Sequence, residues 1–358
     1  MSKKIKPLRF GDIEVEIPII QGGMGIGFTT GQLPPAVSNC DCLGVIAGVG
    51  LGLFKPPEDK RSFEEASIDI LQDEITFSKN NTNKPIGVNL MVAMKNYYRY
   101  VEAAIQAGAD IIISGAGLPM RLPEYAKYTK IIPIVSSARA FSRISERWKK
   151  DYNRYADGVI VEGPFAGGHL GFKEDALQLL GNNLDDLTIE VIKVAKYYSK
   201  MARRIIPVIA AGGVFNGKDI AHFIGLGAQG VQIASRFVVT SECPVSEIIK
   251  NLYISAKNTL IFPSPLKMPG RVIRTPFLDE VEKGIKIPFK CKYKCLRICN
   301  PRKVLYCIAE ALLEAFKGNL EKAVVFAGYN VSRINKKTTV PELVNELVEK
   351  TKYELEKM

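Results

Sequence analysis

The chain of 358 residues is 47% hydrophobic and 24% charged, ordinary globular usage that argues against disorder. Lys plus Arg number 49 against 37 Asp plus Glu, a net charge of +12. That excess is spread along the chain without a block of five like charges, which excludes a nucleic-acid-binding tail and leaves a mildly basic surface for acidic small molecules or an acidic carrier protein.

Seven Cys in a chain of this length do not make a disulfide framework and point to a reducing compartment. The opening stretch MSKKIKPLRF lacks an apolar h-region, and no run of about 18 apolar residues occurs. We therefore expect no secretory leader, no membrane span and a cytoplasmic location.

Short apolar, β-branched runs recur at Pro18–Gly22, Leu43–Gly48, Ile86–Met91, Ile111–Gly115, Ile132–Ser137, Gly158–Gly163, Pro207–Gly213 and Gly230–Ser235. Runs that are apolar throughout, rather than alternating, mean strands buried on both faces, as in a parallel sheet. Between them, Tyr97–Ala107 and Asp185–Ala202 carry apolar residues at helical spacing. This pattern predicts an α/β fold, a (β/α)8 TIM barrel over residues 1–237. A doubly wound open sheet is the rival, but it usually has fewer strands. The segment Leu51–Asn83 is long for a connection and reads as a flap over the barrel mouth. Residues 238–358 are too many for one closing helix. With helices predicted over Val304–Phe316 and Pro341–Lys357, they read as a smaller, mainly helical C-terminal cap or lid.

Active sites of such barrels lie at the C-terminal ends of the strands. Those ends hold Gln21–Gly27, Asn89, Ser114–Gly117, Ser136, Glu162–Gly171, Ala211–Gly213 and Ala234–Arg236. They supply glycines, amides and one His, and neither a metal-binding carboxylate cluster nor a Ser/His/Asp set. No Lys ends any run, which counts against a Schiff-base aldolase. Amides at Gly212, Gly213, Ala234 and Ser235 sit on the loops after strands seven and eight, a recurrent phosphate site of this fold; the alternative is that the glycines only make tight turns. His169, one of two His in the chain, lies between Gly167-Gly168 and Gly171 just past strand six. It is a candidate base, acid or hydrogen-bond donor, or a structural His. His222 falls mid-helix and reads as packing or surface. In QGGMGIG, the dinucleotide fingerprint is weak, but Gln21 and Met24 suit contacts to a flat ring. Asn89 either meets such a ring or a phosphate, or caps a turn.

Four of the seven Cys fall in CKYKCLRICNPRKVLYC, at Cys291, Cys295, Cys299 and Cys307. Four thiolates suit Zn²⁺ or an iron–sulfur cluster, although the spacing is not a usual CxxC pair. If Phe289–Ile298 is helical, Cys291, Cys295 and Cys299 share one face, and the alternative is a buried face of small apolar side chains. No metal is assigned from the sequence.

Taken in order, PIIQGGMG (18–25), GVNLM (87–91), GAGLP (115–119), EGPFAGGHLG (162–171), IPVIAAGGVFNGKDIAHFIGLGAQGVQIASRF (206–237) and MPGRVIRTPF (268–277) resemble the FMN-dependent nitronate monooxygenase family, which also contains FMN-dependent enoyl-acyl-carrier-protein reductases. The resemblance implies FMN at the barrel mouth beneath a lid. It implies that Gly22, Gly23, Met24 and Asn89 hold the flavin, with Glu162 and Gly167 beside it. Gly212, Gly213, Gln232, Ala234 and Ser235 take the phosphate end, and His169 stands at the catalytic position. It implies oxidative denitrification of alkyl nitronates with O₂. The alternative is NAD(P)H-dependent reduction of an enoyl thioester, delivered on an acidic acyl carrier protein, or of a quinone. Glu162 stands where many monooxygenases of the family have Gln, and Pro164-Phe165 fits neither branch. The partner expected is a small molecule, with a homodimer left open.

Overall fold

The computed structural model of the protein describes residues 5–179 and 184–358. Its centre is an eight-stranded parallel sheet, β1 (Ile19–Gln21), β2 (Gly44–Ala47), β3 (Ile86–Met91), β4 (Ile111–Gly115), β5 (Lys130–Val135), β6 (Val159–Glu162), β7 (Val208–Ala211) and β8 (Gly230–Ile233). Neighbours in the chain are neighbours in the sheet, and β8 returns to β1 with Val231 opposite Ile19. The ring closes where Gln21 N donates to Leu43 O at 2.9 Å and Leu43 N donates to Ile19 O at 3.0 Å. Every predicted run is therefore a barrel strand. The fifth starts at Lys130 and stops at Val135, short of the predicted Ser137.

The strands are apolar throughout because they serve two cores. Ile20, Val45, Ile113, Ile132, Ile160 and Ile209 fill the barrel interior, which a hairpin of Leu8–Phe10 and Ile13–Val15 joins through Leu8, Phe10 and Val15. Their alternates, among them Ile46, Val88, Ile112, Val161, Val208 and Val231, face the surrounding helices. Gln21 belongs to the barrel seam. Its Oε1 accepts from Val45 N at 3.0 Å and its Nε2 donates to Gly22 O, so its side chain is not the ring contact offered from the sequence.

The expected flap is instead an ordinary crossover helix, Phe63–Asn81, opened by a capping box between Ser62 and Glu65. It buries Ala66, Leu71 and Ile75 against the barrel, and the lid is met at its start, where Phe63 packs on Tyr293 at 5.2 Å, and by the short turn Leu51–Phe54 before it, where Phe54 meets Phe316 edge-on at 5.0 Å. The helix Ala138–Tyr152, which the sequence reading passes over, covers β5 with Phe141, Ile144 and Trp148 inward. His222 hydrogen-bonds Asp185 Oδ2 at 2.7 Å on the outer surface, well away from the strand ends.

Beyond β8 the chain leaves the barrel and builds a lid that contains a sheet as well as helices. Strands β9 (Leu260–Pro263), β10 (Pro269–Ile273) and β11 (Val325–Phe326) run antiparallel, and the barrel loop after β6 adds Gly168-His169 to the edge of β10. Phe262, Val272, Phe277, Leu278, Tyr306 and Ile308 form the lid's own core. Outgoing and returning chain run side by side at a neck, where Thr240 pairs with Thr338 and Ser241 N donates to Thr338 O at 2.9 Å. The last helix, Val340–Glu356, is grouped with the cap in the sequence reading. It packs on the barrel helices Gly217–Leu226 and Leu33–Asn39. The stretch Phe289–Ile298, offered as a helix, contains none.

Candidate active site

The strand ends and the underside of the lid enclose a cavity of about 270 Å³. It is lined by every residue that the resemblance places on the flavin or at the catalytic position: Gly22, Gly23, Met24, Asn89, Glu162, Gly167, His169, Gly212, Gly213, Gln232, Ala234 and Ser235; Gln21 and Ser136 are not among the lining residues. The loops that carry them are shaped by local chemistry. Thr29 ties the first loop, its Oγ1 receiving Met24 N at 3.2 Å and Ala47 N at 3.1 Å. At Gly23, a Cβ would stand 2.6 Å from Asn89 Cβ, so only glycine lets the first loop lie against β3. Gly212 and Gly213 have φ of +85° and +120°, backbone that other residues resist, and the turn they make leads into a helix capped by Asn216 and Asp219.

The amides of Gly212, Gly213 and Ala234 have no acceptor among the described residues, and Gln232 Oε1 is buried without a partner. Unpaired polar groups of this kind are costly inside a protein unless a ligand or water meets them. Gly22 differs, because its N–H already donates to Ile233 O at 2.8 Å. Ser235 Oγ accepts from the lid's Gly328 N at 2.9 Å, which leaves its hydroxyl hydrogen free to donate.

Two titratable groups face the cavity, one from the last residue of β6 and one from the loop after it. Glu162 makes no ion pair among the described residues, and burial pushes its pKa up to about 7. Burial lowers that of His169 to about 4, so the imidazole is neutral at pH 7. Its Nε2 lies 2.7 Å from Ser264 Oγ, and its ring meets Phe326 edge-on at 4.9 Å.

The residues that the sequence reading missed come mostly from the lid. Tyr329 stacks on Phe165 at 4.4 Å, and Tyr329 N donates to Phe165 O. Asn330 Nδ2 donates to Gly213 O at 2.6 Å, and Tyr253 hydrogen-bonds Phe326 O. Arg271, buried on β10, donates to Pro164 O at 2.9 Å, so Pro164-Phe165 serves as the joint between barrel and lid. The signals were present in PF and in PGR, but nothing in the sequence said that these segments meet.

The sequence profile of the nitronate monooxygenase family matches this chain over residues 6–96 and 92–350. The chain is 30% identical over 278 residues to (3aS,4S,5R,7aS)-5-hydroxy-7a-methyl-1-oxo-octahydro-1H-indene-4-carboxyl-CoA dehydrogenase of Mycobacterium tuberculosis, 76% of this chain and 67% of that protein. It is 27% identical over 310 residues to a probable nitronate monooxygenase of Staphylococcus saprophyticus, 76% of this chain and 79% of that one. FabK from Thermotoga maritima superposes with a TM-score of 0.72 at 27% identity, over 95% of this chain and 94% of FabK. Fold, strand-end cavity and profile agree: the chain belongs to the nitronate monooxygenase family and is an oxidoreductase.

Proposed function

We propose that the chain is an FMN-dependent oxidoreductase that acts on alkyl nitronates, with O₂ completing their denitrification. The observation that carries the cofactor reading is the set of unmet polar groups in the cavity. Gln232 Oε1 is a buried acceptor suited to a ring N–H, and the amides of Gly212, Gly213 and Ala234 are donors suited to a phosphate. When bound, FMN supplies the electron exchange with substrate. The protein's part is to bind and orient. Gly23 and Asn89 wall one side, Phe165 and Tyr329 close the joint to the lid, and neutral His169 offers one ring nitrogen to the substrate while Ser264 holds the other.

One observation favours a second reading, the reduction of an enoyl thioester by NAD(P)H. Arg236 is the one Lys or Arg among the cavity-lining residues, and its guanidinium is committed to Glu346 at 2.9 Å. The carboxyl that lines the cavity is Glu162, and among the described residues no free cation lines it for an anionic nitronate. A neutral thioester carried by coenzyme A or by an acidic acyl carrier protein needs none.

The test is anaerobic. Flavin released on denaturation establishes the cofactor. Bleaching by ethyl nitronate, with nitrite formed once O₂ is admitted, supports the first reading. Rapid bleaching by NADH or NADPH, followed by reoxidation with an enoyl thioester, replaces it with the second. A colourless protein that binds no added FMN refutes both.

A further inference from the structure

Between the helices Pro276–Glu282 and Ile308–Lys317 the chain runs through residues 283–307 with no helix and no strand beyond a single bridge, Met94 to Leu296. A connection of that length without regular structure is uncommon in a compact fold and calls for something to organise it. The apolar core reaches it only at Ile287, Leu296 and Tyr306. Tyr306 is the only residue of the segment that is fully buried. From Phe289 to Cys295 the backbone alternates, with Cys291, Tyr293 and Cys295 turned inward and Lys290, Lys292 and Lys294 outward.

All four thiols of the segment are free and half-buried, unlike packing cysteines, which are usually interior. They share one neighbourhood. Burial, with Cys307, Cys291 and Cys299 nearby, holds the Cys295 thiol well above its ordinary pKa, and Cys291 adjoins both Cys299 and Cys307. Cys307 is the N-cap of the helix Ile308–Lys317, and in the metal-free chain burial holds its thiol above the ordinary pKa. Among the described residues, no three His, Cys, Asp or Glu side chains gather closely enough to hold a single metal ion. A four-iron cube holds its ligand sulfurs farther apart than one ion does. The segment 283–307 also contains no Asp or Glu and is rich in Lys and Arg, the charge that a thiolate-bound, anionic cluster requires.

We propose that Cys291, Cys295, Cys299 and Cys307 ligate a [4Fe–4S] cluster. Each thiol gives its proton to solvent as its sulfur bonds one iron, and the protein itself is neither oxidised nor reduced. The segment is tied to the barrel mouth by Lys95 N to Cys295 O at 2.9 Å and by Arg297 Nη2 to Val92 O at 2.8 Å, and Cys295 and Leu296 stand in the cavity wall. The cluster therefore borders the cavity while depending on none of the residues that would hold a flavin.

The experiment uses the full chain, purified without oxygen and incubated with ferric iron, sulfide and a thiol that reduces part of the iron. We expect iron and acid-labile sulfide in equal amounts, about four of each per chain, and an electron paramagnetic resonance signal on reduction. In the half-exposed variant Cys299→Ser and in Cys291→Ser/Cys307→Ser, iron and sulfide fall by at least half, while flavin content and circular dichroism match the parent. No iron bound, iron bound equally by the variants, one zinc without sulfide, or disulfides among these cysteines would each overturn the proposal.

Discussion

His169 Nε2 stands 2.7 Å from Ser264 Oγ, joining the loop after β6 to the lid across 95 residues of sequence. Ser264 Oγ also receives Leu266 N at 3.3 Å. The hydroxyl either donates to Nε2 or accepts from it, and when Ser264 donates the proton of the neutral ring sits on Nδ1. On the proposed function, His169 then acts as a neutral donor. His169→Ala should retain flavin and lose most turnover. Ser264→Ala should lower kcat with flavin content unchanged, and Ser264→Thr should restore it. Wild-type turnover should show no imidazole transition near pH 6.5, because the ring titrates near pH 4. Steady-state rates over pH check all three, and a step at pH 6.5 would contradict the assignment.

Glu162 and His169 pull stability in opposite directions. Glu162 has a pKa of about 7 in the fold against an ordinary 4.5, so its contribution is complete below pH 4.5 and is lost as pH rises through 7. His169 has about 4 against an ordinary 6.5, so the fold loses stability as pH falls from 6.5 towards 4. Between 4.5 and 6.5 the two slopes oppose, each limited to about 1.4 kcal/mol per pH unit. Flavin-free Glu162→Gln should therefore lose Tm more steeply than the parent on acidification across that window. Parallel melting curves would remove Glu162 from the balance.

Flavin retention should respond to the unmet polar groups. Gln232→Leu removes a buried acceptor, and the lost hydrogen bond should weaken flavin binding by about 1–3 kcal/mol. Gly213→Asp places a carboxylate, on backbone at φ +120°, beside amides proposed to face a phosphate, and should yield flavin-free protein. Fluorescence titration of apoprotein with FMN measures both, and undiminished affinity in the Asp variant would refute the phosphate assignment.

Asn330 Nδ2 donates to Gly213 O at 2.6 Å and is one of the lid's direct holds on the loop after β7. Asn330→Ala should cost about 1 kcal/mol of lid docking and speed proteolysis within residues 241–337, with the barrel left intact. Limited digestion with and without FMN reads this directly. An unchanged cleavage rate would show that the Phe165–Tyr329 stack suffices.

The barrel was legible because both faces of each strand are apolar, so the runs stand out without any need to settle the period. Glycines and amides at strand ends were legible because the fold says where strand ends gather. The lid was not. Ser264 and Asn330 act on residues 95 and 117 positions away, and only the packed structure brings them there. The i, i+4, i+8 spacing of Cys291, Cys295 and Cys299 suggested a helix. The alternation of Lys with Cys and Tyr across the same stretch matches the alternating burial observed from Phe289 to Cys295, and period 2 was the better guide. Ala138–Tyr152 carried a clear apolar face in Phe141, Ile144 and Trp148 that was simply not weighed.

The pairing of Thr240 with Thr338 makes the lid an excursion that begins and ends at one point on the barrel rim. The outgoing and returning strands run parallel there, and the pairing forbids the two ends from separating. It also means that the tail is masonry rather than trim. Cutting the chain after residue 338 would remove Leu343, Val344 and Leu347 from the barrel's outer wall and expose its flank, whereas excising residues 241–337 across the short gap would leave the wall standing.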